Sequence, residues 1–166
     1  MHPRLRLLRA TATAAILAPL ATIAQAPSTT FKVTTNVQAY CQVTATDLNF
    51  GNYSSTTATD TQGQSDLKVT CSPNTPYNVA LSEGTSPGAT VTARKMTFGA
   101  NTLNYQLYRT AARNSNEVWG KTAPTDTVQG TGNGTQQTYY VYGLLPKQQN
   151  AAPGAYLDTI TVTVLF

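Results

Sequence analysis

Downstream of its first thirty or so residues, the chain places apolar side chains at alternate positions. Nowhere there does it keep a helical apolar period over three turns. Alternate side chains of a strand point to opposite faces, so a period of two writes one buried face and one wet face. Thr, Val and Tyr are plentiful, and these residues suit a pleated, half-exposed surface. Gly, Pro, Asn and Ser clusters interrupt the pattern about every ten residues. The combination predicts an all-β sandwich or barrel, and a chain of 166 residues suits one such domain behind a processed leader.

The predicted strands follow from the alternation. Thr30 to Ala39 carries Phe31, Val33, Val37 and Ala39 on one parity, with Thr35 breaking the row. Cys41, Val43, Leu48 and Phe50 mark an extended stretch ending at Gly51. Leu67, Val69 and Cys71 alternate, as do Tyr77, Val79 and Leu81. Val91 to Phe98 and Leu103 to Tyr108 flank a Gly99-Ala100-Asn101 turn, and a further strand runs through Tyr139 to Tyr142. The most regular segment is Tyr156 to Phe166, with Ile160, Val162, Val164 and Phe166 on one face and Thr159, Thr161 and Thr163 on the other. Ser54 to Ser65 reads as a polar loop or ragged edge. Thr110 to Gly134 lacks strand pattern and offers a short helical turn at Ala111-Ala112-Arg113.

Residues 1–26 read as a secretory signal peptide. Met1 to Arg9 form a basic start, Ala10 to Ile23 a short apolar stretch, and Ala24-Gln25-Ala26 a small-x-small cleavage site. Pro27 disfavours a cut after Ala26, so cleavage after Ala24 is the alternative, and the mature domain is 27–166. The apolar stretch is too short for a stable span and no second one follows, so no integral membrane span is expected. Export also changes the charge. The net of +4 includes Arg4, Arg6 and Arg9, and without them 8 Lys/Arg face 7 Asp/Glu, a net of +1. No basic patch for nucleic acid remains. His2, the one histidine, leaves with the leader, which removes histidine-based catalysis and zinc ligation from the inventory.

Cys41 and Cys71 are then an even pair in an exported chain, the pattern of one disulfide. No metal or cofactor site is written in the sequence, and no catalytic group is assigned. Ser65-x-x-Lys68 matches the start of an acyl-enzyme motif but lies in an alternating strand rather than at a helix start. Gly130 to Gly134 is a turn cluster, not a phosphate loop. Asp158 shares parity with the apolar residues of the last strand and reads as a hydrogen-bonded structural carboxylate or one beyond the sheet edge. Tyr105, Tyr108, Trp119, Tyr139, Tyr140 and Tyr142 read chiefly as core or cross-strand pairs, and alternatively as a sugar-stacking platform.

An ending on an exposed alternating strand raises the prospect of strand addition from another molecule. A run of short matches gives that prospect a family. They are Phe31-Lys32-Val33, Cys41, Leu48-Asn49-Phe50-Gly51 with Tyr53, and Leu67-Lys68-Val69-Thr70-Cys71. Pro76-Tyr77-Asn78-Val79-Ala80-Leu81, Leu103-Asn104-Tyr105-Gln106-Leu107-Tyr108, Trp119-Gly120, Tyr142-Gly143 and Gly154 to Val162 follow in order. In order and spacing these resemble the spore coat protein U domain family, which includes subunits of archaic chaperone–usher pili.

The resemblance implies a single Ig-like, pilin-type β-sandwich lacking its final strand. It implies as partners a periplasmic pilus chaperone that lends a strand, an outer-membrane usher, and neighbouring copies or related subunits at the cell surface. Phe31, Val33, Val37 and Ala39 would be the donor side chains. Tyr156, Ile160, Val162, Val164 and Phe166 would border the groove and meet the chaperone. Little chain separates the cleavage site from Phe31, so Phe31 to Ala39 is donor, first strand of its own domain, or a strand serving both along its length. The resulting function is a structural subunit of a fibre supporting adhesion or biofilm formation. The alternatives are a self-contained coat or matrix protein and a glycan-binding surface module.

Overall fold

The computed structural model describes residues 25–166, so the expected leader lies almost wholly outside the described residues. The chain divides into two units, Met1–Asn36 and Val37–Phe166. The described part of the first unit carries no strand, and Phe31 and Val33 are exposed. The second unit holds every strand found among the described residues: β1 (Cys41–Ala45), β2 (Thr61–Cys71), β3 (Pro76–Leu81), β4 (Arg94–Phe98), β5 (Asn101–Tyr108), β6 (Val128–Thr131), β7 (Gln136–Leu145) and β8 (Val162–Leu165). One 3-10 turn, Ser115–Glu117, is the sole helical element among the described residues.

The strands form two antiparallel sheets, ordered β1-β2-β7-β5-β4 and β6-β3-β8. Register follows the expected parity. Val69 of β2 faces Val43 of β1 and Gln137 of β7, while Val79 of β3 faces Val128 of β6 and Val164 of β8. The inner faces meet in a core of Leu67, Val69, Tyr77, Val79, Leu81, Leu103, Leu107, Val141 and Leu145. Trp119 is fully buried among them, and its indole N–H donates to the Val79 carbonyl at 2.8 Å. The β4–β5 hairpin turns through Gly99-Ala100, with Gly99 at φ +55°, a backbone angle that glycine adopts without steric cost.

Several strand expectations need correction. Thr30 to Ala39 forms no strand, and pairing starts only where Tyr40 and Ser72 bond each other. Alternation makes a strand only where a sheet edge receives it. Thr61 to Ser65 is not loop but the first half of β2. Its inward Gly63 lies beneath Leu48 and Phe50, so apolar side chains come from another segment and the parity signal vanishes. Leu48 and Phe50 themselves lie in irregular chain after β1. β6 sits inside the patternless stretch, where Gly130 occupies an inward position opposite Tyr77. Ala111-Ala112 is a turn rather than helical. The strand expected at Val91 begins at Arg94.

The last segment is the instructive case. Only Val162–Leu165 of Tyr156 to Phe166 is strand. Leu157 exchanges hydrogen bonds with Thr97 at the β4 edge, at 2.9 and 3.1 Å, whereas β8 pairs with β3 in the other sheet. One alternating run therefore crosses from sheet to sheet.

Candidate functional site

Five strands oppose three, so part of the larger sheet's inner face has no opposing strand. The result is a cleft of ≈ 1260 Å³ floored by Leu67, Leu103, Tyr105, Leu107, Val141 and Leu145. Residues 46–55 line it together with residues 151–160 and Val162. β1 and β4 are the outer strands of the larger sheet and β6 and β8 of the smaller, and β1 and β8 each have one edge without a paired strand.

The backbone of β8 is polarised by its pairing. Ser82 N–H donates to the Thr161 carbonyl at 3.0 Å, and Thr161 N–H donates to Ser82 Oγ at 2.9 Å. Antiparallel ladders alternate, so Thr163 and Leu165 continue the bonding to β3. Val162 and Val164 then turn their N–H and C=O groups toward the open edge while their side chains pack against the core. Main-chain donors beside an apolar floor that irregular chain, not a paired strand, covers can take up an extended strand.

Each residue expected at the groove has a definite place. Tyr156, Ile160, Val162 and Val164 are partly buried against the core. Tyr156 packs its ring tilted against Phe98, centroids 5.9 Å apart, ahead of the start of β8. Phe166 is 61% exposed despite its parity, because it lies past the last paired residue. Of the expected donor residues, Val37 and Ala39 precede β1 and are exposed, and Phe31 and Val33 lie in the first unit. Cys41 and Cys71 form the disulfide, tying the first residue of β1 to the last of β2.

Other residues shape the cleft and were not singled out as a set. Leu48 and Phe50 lie over the cross-strand pair Gly63 and Gly143, where an added Cβ would come within 2.8 Å of Leu48 or Phe50. Tyr53 anchors the same segment: its hydroxyl donates to the Pro146 carbonyl and accepts from Gln149 N–H. On the other side Asp158 is the hydrogen-bonded carboxylate that its parity suggested. It accepts from Thr85 N–H and Oγ1, from Thr159 N–H, and from the Tyr105 hydroxyl at 2.6 Å. Burial, and then that bond to Asp158, pushes the Tyr105 hydroxyl well above the usual tyrosine range.

Arg94 is completely buried. Its guanidinium donates to the carbonyls of Ser82, Val91, Leu81 and Trp119 and to Gln106 Oε1. Desolvation lowers its pKa, which the carbonyl cage does not prevent. The acyl-enzyme motif does not assemble: Ser65 lines the cleft, while Lys68 is exposed on the opposite face beside Asp66 at 3.7 Å. Gly132 and Gly134 pass close to Cys71 and Pro73 in the β6–β7 connection.

A disulfide-bonded all-β sandwich with five strands in one sheet and three in the other has the architecture of a pilin-type subunit. The chain belongs to the Spore Coat Protein U domain family, whose pattern matches residues 28–163. It is 32% identical to Protein U of Myxococcus xanthus over 94% of this chain and 97% of that protein. It is also similar to a chain in the crystal structure of the CsuC–CsuE chaperone–tip adhesion subunit pre-assembly complex, from archaic chaperone–usher Csu pili of Acinetobacter baumannii. The TM-score is 0.58 and the identity 28%, covering 78% of this chain and 40% of that one. These similarities indicate a structural, non-enzymatic family and support a fimbrial-type subunit.

Proposed function

We propose that the chain is a secreted subunit of a surface fibre that assembles by exchange of strands in this cleft, in support of adhesion or biofilm formation. The observation that carries the reading is the free edge of β8 beside an apolar floor without an opposing strand. A periplasmic chaperone supplies the first occupant of the cleft. An outer-membrane usher then directs its replacement by the Phe31 to Ala39 segment of another copy or a related subunit. Phe31, Val33 and Val37 are 86%, 85% and 91% exposed, which leaves three apolar side chains free to enter another molecule. The similarity to a chaperone-bound subunit supports the chaperone step.

The test is an unheated denaturing gel of the exported protein, purified under oxidising conditions, beside a variant lacking the mature residues before Ala39. Strand exchange gives a ladder of multimers that collapses on heating and is absent from the variant. A soluble monomer that folds unaided and binds no chaperone sinks the reading. It would favour a self-contained coat protein, the second reading, which the end-to-end match to Protein U supports. A truncated variant that fails to fold assigns Phe31 to Ala39 to its own domain.

A further inference from the structure

The outer face of the five-stranded sheet carries a second constellation, away from the cleft. Tyr140 and Tyr142 alternate with the inward Tyr139 and Val141 on β7, and their rings lie 6.4 Å apart at 50°. Tyr140 is 48% exposed. Exposed Gln64 of β2 stands opposite Tyr142. The Arg113 guanidinium lies over the Tyr142 ring, 5.5 Å from its centroid. Two backbone carbonyls fix it there: Nε donates to Gly143 at 3.1 Å and Nη1 to Ala111 at 2.8 Å. Arg113 itself adopts φ +53°, an angle that disfavours any residue with a Cβ.

The remaining guanidinium N–H groups have no acceptor among the described residues, and no carboxylate there lies within ion-pair reach of Arg113. The neighbouring acids are engaged elsewhere. Asp66, opposite Tyr140, pairs with Lys68 and accepts from Thr46 Oγ1 at 2.8 Å. Asp60 accepts from Lys147 N–H. A planar fork of free donors, held over Tyr142 whose ring lies 6.4 Å from the half-exposed Tyr140 ring, matches two parts of one ligand. The fork suits a carboxylate, and the ring suits the C–H face of a sugar.

We propose that Tyr140, Tyr142, Arg113 and Gln64 form a binding site for an anionic, uronate-bearing polysaccharide. Arg113 receives the carboxylate, Tyr140 carries the sugar ring, and the Gln64 amide meets its hydroxyls. The site leaves the cleft free, so it does not depend on strand exchange.

The test is native affinity electrophoresis of the full exported chain in gels containing polygalacturonate, dextran or polyglutamate. Polygalacturonate retards the wild type, whereas dextran, which lacks the charge, and polyglutamate, which lacks the ring, do not. Arg113→Gln and Tyr140→Ser each weaken retardation about ten-fold or more, as loss of one charge-assisted or stacking contact predicts. Tyr140 is half-exposed, so its variant keeps the fold, and an unchanged melting temperature verifies this. No retardation by polygalacturonate, equal retardation by either control polymer, or wild-type retardation of both variants overturns the site. A change in self-association of the variants, with polysaccharide binding intact, would assign the face to contacts between copies.

Discussion

At the scale of single residues, Arg94 is the most demanding group in the fold. A fully buried guanidinium with no ion-pair partner among the described residues is tolerated because backbone carbonyls and an amide accept its hydrogen bonds. Those acceptors come from four places: the end of β3 with Ser82, the chain before β4, Gln106 of β5, and Trp119. Arg94 thus joins one sheet to the other. Arg94→Leu retains apolar bulk but strands buried carbonyls, so unfolding of the full chain should become easier by about 3–5 kcal/mol. Urea denaturation measures this. A loss below about 1 kcal/mol would mean that water replaces the guanidinium and that the side chain does not hold the sheets together.

At the scale of elements, the two edges of β8 do different work, and proline separates them. Thr163 bonds to β3, so Thr163→Pro removes a ladder bond and should destabilise the monomer by about 1–3 kcal/mol. The Val164 N–H faces the open edge. Val164→Pro should therefore leave the monomer's urea midpoint nearly unchanged and abolish multimer formation on the unheated gel. Destabilisation by Val164→Pro but not by Thr163→Pro would show that the ladder phase assigned from Ser82 and Thr161 is shifted by one residue. The same element shows how far the sequence could be read. Parity identified the buried sides of β3, β5 and β8 because each supplies its own core residues. It failed for the first half of β2 and for β6, where inward glycines leave room for side chains from elsewhere. It overextended β8, because alternation does not record which sheet a segment pairs with. The cleft was legible only through the family resemblance. Its floor reads as ordinary core, and its openness is the absence of a strand, which no residue encodes. Arg94 shares parity with Met96 and could have been found by asking why a charge stands in an inward position.

At the scale of the whole molecule, the mismatch of five strands against three limits what the subunit can gain by folding alone. The cleft floor supplies much of the core, yet an open edge removes less apolar area from water than a second covering strand would. β1 is a five-residue edge strand that pairs on one side with β2 only. The disulfide between Cys41 and Cys71, 30 residues apart, compensates by holding β1 in register and by restricting the unfolded chain. Loop closure of that length stabilises by about 3–4 kcal/mol, a large share of the roughly 5–15 kcal/mol of an ordinary domain. The Cys41→Ser/Cys71→Ser variant should therefore lower the urea midpoint of the free subunit by a corresponding amount and reduce its exported yield several-fold. An occupant of the cleft binds the folded state alone, so by mass action it should restore part of the loss. Denaturation of the double variant with and without a synthetic peptide spanning Phe31 to Ala39 separates the two contributions. A midpoint within about 1 kcal/mol of wild type would show that the β1–β2 ladder alone holds the edge. A large loss that the peptide leaves untouched would show that the cleft collapses once β1 is released, making the disulfide a condition for strand capture as well as for stability.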